Sequence, residues 1–406
     1  MRKIRVTRLA CIALVCAACT ISSQAQTFTS LFSFDQTDGD NPNGALVQGA
    51  NGNFYGTTSS QFGSGYGTIF EITPGGALTT LYTFCSLSNC ADGSYPWSGL
   101  ILANDGNFYG VTSSGGTQNS GTFFKMTPKG ALTTLYSFCS LANCADGSDP
   151  VAGLLQGTNG NFYGVTAYGG TTGYGTVFEM TKAGVLKTLY SFCSQSNCTD
   201  GAMPLGSLVQ ATDGTFYGTT AFGGAYGPYQ NGTVYRLTPH GKLTTLYSFC
   251  SRKNCADGRF PTSGLLLARN GKFYGTTAWG GPFPSLCNNG TGCGTVFEIT
   301  PCGKLTTLYD FCSKTNCADG DLPLAALIQA RNGKLYGSTP YGGENGYGTV
   351  FELTLAGELT TLHNFAYTDG SEPVSPLLQA AGGSFYGTTL KGGSAGWGTV
   401  FRISKK

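Results

Sequence analysis

Residues 159–192 read NGNFYGVTAYGGTTGYGTVFEMTKAGVLKTLYSF, and near-copies of this stretch fill the chain. The tripeptide Phe-Tyr-Gly, once Leu-Tyr-Gly, is centred on Tyr55, Tyr109, Tyr163, Tyr217, Tyr274, Tyr336 and Tyr386, at spacings of 54, 54, 54, 57, 62 and 50 residues. A self-similar period in this range is the mark of a repeat architecture. Each unit holds four short segments of β character separated by turn chemistry. In the third unit these are residues 153–156, 162–166, 175–181 and 186–192. The first ends at Asn159-Gly160, a strong hairpin signal, and a Gly-Gly loop follows the second. Strands of about five to seven residues, four antiparallel per unit in seven units, give an all-β fold, a seven-bladed β-propeller.

The ends of the chain supply an independent check. The last unit stops at residues 398–403 without a fourth strand, whereas residues 27–34, TFTSLFSF, match the fourth segment at 132–138, LTTLYSF. The N-terminal strand therefore completes the last blade and closes the ring. Residues 26–406 form one domain, because in a closed array each unit rests on its neighbours. Ahead of the recurring leucines Leu46, Leu100, Leu154, Leu208, Leu265, Leu327 and Leu377 sit Ala45, Gly99, Gly153, Ser207, Gly264, Ala326 and Pro376. Innermost strands crowd around a channel and need small residues there. The Phe-Tyr pairs read as blade-on-blade core.

Charged residues are only 11% and the net charge is +2, which excludes the basic stripe of a nucleic-acid-binding protein. Residues 1–8 are basic, 9–21 are apolar, and Ser23-Gln24-Ala25 suits a signal peptidase, so residues 1–25 read as a signal peptide. Lipidation at Cys19 is the competing reading. No later apolar run has the length of a membrane helix. The expectation is a monomer that is secreted, periplasmic or on the cell surface.

Beyond the three cysteines in residues 1–25, five pairs recur as Phe-Cys-Ser-x-x-Asn-Cys-x-Asp-Gly: Cys85 with Cys90, Cys139 with Cys144, Cys193 with Cys198, Cys250 with Cys255, and Cys312 with Cys317. From Phe84 to Asp92 is eight residues, but only four separate Phe34 from Asp38 and Phe365 from Asp369 in the cysteine-free copies. The pair thus arrives with the extra loop, as a disulfide staple would, and an exported chain favours oxidation. Metal binding is the weaker alternative, since this spacing without histidine partners is a poor zinc pattern. Cys287 with Cys293 would close the insert of the fifth unit, leaving Cys302 as a free thiol.

Length differences among the units fall on one rim, at the cysteine loops and at residues 226–231 and 281–292. A binding surface is expected there. Just before Gly-Gly, the units carry Ser60, Ser114, Tyr168, Phe222, Trp279, Tyr341 and Lys391. The aromatic arc Tyr168, Phe222, Trp279 and Tyr341 is the candidate ligand-binding site, and rings packed under their own loops are the bland alternative. The aspartates of Asp-Gly-x-x-Pro, present in every unit, read as turn caps. Asp38 with Asp40, or Asp319 with Asp321, offer too few carboxylates for calcium. His240 and His363 are the only histidines and lie in different units, so no catalytic residues, metal or cofactor are assigned.

The pattern Gly-x-Phe-Tyr-Gly-x-Thr, then Gly-Thr-Val/Ile-Phe-x-Ile-Thr-Pro-x-Gly-x-Leu-Thr-Thr-Leu-Tyr, seen in residues 52–84, resembles the GloVer tandem-repeat family of secreted bacterial proteins with a choice of anchor. That resemblance covers the chain from its first unit to its last. It implies an exported repeat protein and supplies no catalytic residues. The ending Ile403-Ser404-Lys405-Lys406 departs from anchored forms. The functional expectation is a binding or scaffold module for carbohydrate or an extracellular protein. Alternatives are a glycan-acting hydrolase or lyase using rim carboxylates, and a purely structural surface protein. A cluster of unique acids at the channel mouth would favour an enzyme; exposed rings with few acids would favour binding.

Overall fold

The computed structural model describes residues 26–60, 65–226, 231–283, 287 and 290–405. Residues 1–25, where a signal peptide is expected, lie outside them, as do parts of the rim loops at 226–231 and 281–292. Seven sheets of four antiparallel strands form a ring, an all-β seven-bladed propeller. In the third blade the strands are Leu155–Gln156, Phe162–Thr166, Thr176–Met180 and Leu186–Ser191, in that order outward from the axis. The last blade is closed by Gln26–Ser33, which pairs with Thr399–Lys405 from Gln26 opposite Lys405 to Ser33 opposite Thr399.

The innermost strand is shorter than the sequence suggested: only two residues are laddered, Leu155–Gln156 in place of 153–156. The reason lies at the axis. There the backbone of one blade packs directly on the next, and a Cβ added to Gly99 would lie 2.2 Å from the Ala45 carbonyl oxygen. At Gly206 the corresponding distance to the Ser263 carbonyl oxygen is 2.4 Å. Residues this close to a neighbouring blade cannot also continue a ladder in their own sheet.

Between blades the core is aromatic. Each Phe-Tyr-Gly tyrosine meets the phenylalanine of the next copy: Tyr55 and Phe108 at 4.3 Å, Tyr163 and Phe216 at 4.3 Å, and, across the closure, Tyr386 and Phe54 at 4.0 Å between ring centroids. In the sixth unit Leu335 takes the phenylalanine's place and packs in one cluster with Tyr274. Such ring pairs add about 0.5–1.5 kcal/mol each beyond the area they bury. The tyrosine hydroxyls reach the face opposite the variable loops, where Tyr163 donates to Glu179 at 2.9 Å and Tyr336 to Glu352 at 2.8 Å.

Candidate functional site

A cavity of about 630 Å³ opens along the axis, and each blade contributes the residue after its opening proline and the small residue two positions on to its wall. One ring is small: Ala45, Gly99, Gly153, Ser207, Gly264, Ala326 and Pro376. The ring formed by the residues after each blade-opening proline is varied: Asn43, Trp97, Val151, Leu205, Thr262, Leu324 and Val374. Toward the loop rim the wall is completed by Asp149, Glu372, Pro340, Tyr341 and Leu390. This is the size range of small-ligand pockets, mostly apolar with a few polar groups.

The mouth is held by an unusual backbone. Asn41, Tyr95, Asp149, Met203, Phe260, Leu322 and Glu372, each preceding a proline, have φ between 51° and 62°. Left-handed conformations cost non-glycine residues about 1–3 kcal/mol each and persist only where the surroundings fix them. Here inter-blade bonds do so. The N–H of Asp149 donates to Ser120 in the preceding blade at 2.9 Å, and its carbonyl accepts from Ala167 in the following blade at 3.0 Å. The N–H half of this clasp recurs in all seven blades, ending with Asn41 to Trp397 across the closure. The carbonyl half fails once: Pro340 stands where Ala167 stands in the third blade and has no N–H to donate to Leu322.

Next to this break in the clasp lie several charged groups. Asp321 pairs through its N–H with the Tyr341 carbonyl at 2.9 Å, and its Oδ1 is buried without a hydrogen-bond partner among the described residues. Burial, opposed by the Leu322 N–H, pushes its carboxyl up to about 6. Tyr341 is raised by burial, then by Glu372, and lowered by Lys391. Glu372 and Lys391 form an ion pair at 3.1 Å. Across the mouth, burial alone raises Asp149. Asp40, placed in the first blade where Asp321 is in the sixth, also buries an unpartnered carboxyl oxygen.

The expected aromatic arc does not form one surface. Tyr168 and Tyr341 are 47% and 41% exposed, and only Tyr341 reaches the cavity. Trp279 is half-buried, stacked on Phe260 at 4.1 Å with the Arg259 guanidinium 5.8 Å from its ring centroid. Phe222 meets the other side of this group, 5.3 Å from Phe260. Sequence reasoning missed Trp97 and Glu372, because nothing local distinguishes the wall-forming positions from the rest of the loop. A comparison of the units at the residue following each proline would have found Trp97.

The rim loops are stapled. Disulfides join Cys85 to Cys90, Cys139 to Cys144, Cys193 to Cys198, Cys250 to Cys255, Cys312 to Cys317 and Cys287 to Cys293, and Cys302 is an exposed free thiol. The repeated aspartates cap these loops. Asp146 Oδ2 accepts the Ser140 N–H at 2.9 Å and the Tyr136 hydroxyl at 2.7 Å, and Asp319 is engaged in the same way by Ser313 and Tyr309. That role leaves Asp319 unsuited to join Asp321 in a calcium site. The capping loop and the Gly-Gly loop share one rim, tied by the Gly170 N–H to the Cys144 carbonyl at 2.8 Å.

Among solved structures the chain resembles virginiamycin B lyase from Staphylococcus aureus, at 14% identity and a TM-score of 0.58, covering 93% of this chain and 99% of that one. It also resembles the extracellular domain of a hybrid two-component system from B. thetaiotaomicron, at 11% identity and a TM-score of 0.58, covering 92% of this chain and 39% of that one. At these identities the likeness is one of fold. No curated protein sequence matches the chain. The profile of the Gloeobacter/Verrucomicrobia repeat matches residues 17–227, 85–291 and 227–406, so that the successive matches run through all seven blades. The chain belongs to the Gloeobacter/Verrucomicrobia repeat family.

Proposed function

We propose that this is an exported binding module that takes a carbohydrate into the mouth of its channel. The observation that carries the reading is where the units differ. They agree closely in their outer strands and in the turns of the opposite face, yet the left-handed position around the mouth runs Asn41, Tyr95, Asp149, Met203, Phe260, Leu322 and Glu372, with no residue repeated, and of these Asp149 and Glu372 line the cavity. A turn or a core needs the same residue in every blade. A ligand without sevenfold symmetry needs different ones. Trp97 and Tyr341 offer ring faces for a sugar to stack on, and Asp149 and Glu372 offer acceptors for its hydroxyls. Export is supported by the leader-like residues 1–25 and by the disulfides.

A second reading, hydrolysis or elimination at the same mouth, is favoured by one observation. Asp321, with its carboxyl near 6, lies behind the mouth, bonded through its N–H to the carbonyl of Tyr341, which itself lines the cavity. An acid that keeps its proton near neutrality is what a general acid requires. The test is a glycan array probed with the wild-type chain, Trp97→Ala, Tyr341→Ala and Trp279→Ala, with bound glycans then examined for cleavage. Binding lost in the first two variants and kept in Trp279→Ala supports the channel mouth, and cleavage products turn the reading to the enzyme. A blank array, or loss in Trp279→Ala alone, contradicts it.

A further inference from the structure

In the fifth unit the fold brings together two cysteine pairs that lie far apart in sequence. Cys287 and Cys293 come from the insert before the third strand, and Cys312 and Cys317 from the rim loop of the same blade. The four Sγ atoms all lie within 4.8 Å of one another, and Cys287 Sγ is 3.9 Å from Cys317 Sγ, to which it is not bonded. Cys287, Cys293 and Cys312 are buried, and Cys317 is partly so. Among the described residues, no other group of cysteine, histidine or acidic side chains gathers in this way. Taken by its own spacing each pair is a poor metal pattern; the fold supplies the second pair.

We propose that, when reduced, these four cysteines form a tetrathiolate site for Zn²⁺. Four sulfurs bound tetrahedrally at about 2.3 Å stand about 3.8 Å apart, close to the separation already present between Cys287 and Cys317. The bonded partners within each pair have to separate, while the sulfurs of different pairs already lie within 4.8 Å of one another. The chemistry balances with a thiol or phosphine reductant. Each disulfide takes up two electrons and two protons to give two thiols, and binding one Zn²⁺ releases the protons of the four thiols. The centre thus has two alternative closed states, a pair of disulfides, each inside its own segment, or one metal ion, and only the metal ties the insert to the rim loop. The metal state belongs to the chain before its cysteines are oxidised.

The experiment uses the full chain, reduced with a phosphine and titrated anaerobically with Co²⁺ as the zinc analogue, while far-ultraviolet circular dichroism follows the sheet. The expected result is the visible absorption of tetrahedral thiolate-bound cobalt, saturating at one ion per chain and displaced by Zn²⁺. It is lost in Cys287→Ser and kept in Cys139→Ser/Cys144→Ser, which removes an isolated pair. X-ray absorption of the zinc form should show a shell of sulfur alone. Absence of the cobalt bands, their survival in Cys287→Ser, or loss of the sheet signal on reduction would each overturn the proposal.

Discussion

At the scale of the residue, two positions test the structure without touching the channel wall. Tyr235 occupies the blade-core place held by Phe178 in the third blade, and its hydroxyl is buried without a partner among the described residues. Tyr235→Phe removes an unsatisfied polar group while keeping the ring against Phe192, and should stabilise the protein by roughly 1–2 kcal/mol in chemical denaturation. Asp321 gives a pH signature. Its folded-state carboxyl is raised from 3.8 to about 6, so its contribution to stability is fully present below about pH 4 and is lost as pH rises through 6. Calorimetry should therefore find Asp321→Asn unfolding at a higher temperature than wild type at pH 7, with the difference closing toward pH 4. A constant difference across that range would mean the carboxyl is not held neutral by burial. Conversely, the small channel residues were legible in the sequence as a packing requirement, and Gly99 and Gly264 show the backbone contact behind it.

At the scale of the element, the rim loops and the closing strand make distinct predictions. A staple that closes so short a loop is worth about 2 kcal/mol, so Cys139→Ser/Cys144→Ser should lower unfolding stability by that amount without altering the ring. The cysteine loops were legible because the pair and the four extra residues come and go together. Their approach to a second pair at Cys287 and Cys293 was not, since it depends on an insert folding back on its own blade. In the sixth unit the stapled loop is absent and His363 replaces the capping tyrosine, bonded to Asp369 at 3.0 Å and stacked 3.6 Å from Phe28 of the closing strand. Burial holds this imidazole below its ordinary value, against the pull of Asp369. Its contribution is thus present above about pH 6.5 and lost as pH falls below it. His363→Tyr restores the residue used in five blades and should reduce the acid sensitivity of unfolding below about pH 6.5. Equal acid sensitivity in the variant would place the titrating group elsewhere.

At the scale of the whole molecule, the ring was readable before its site was. Seven Tyr-centred repeats and a displaced fourth strand fix the number of blades and the closure, because both follow from counting and from the local period of the strands. What lines the axis depends on which residues of each loop turn inward, and that is decided by the clasp of one blade on the next. Hence Tyr341 was found for its aromaticity and Trp97 and Glu372 were not found at all, while Trp279, the sharpest sequence candidate, stacks on Phe260 away from the cavity. The mouth contains both exposed ring surface and unique acids. Carbohydrate binding draws on both, and catalysis would draw on Asp321 in addition.

The most direct test of the central claim is a crystal of the protein soaked with the oligosaccharide that the array selects. Sugar density in the axial cavity, against Trp97 and Tyr341 and within hydrogen-bonding reach of Asp149 or Glu372, is the predicted result. An empty cavity with sugar on the outer rim at Trp279, or on the opposite face beside Glu179 and Glu352, would contradict it.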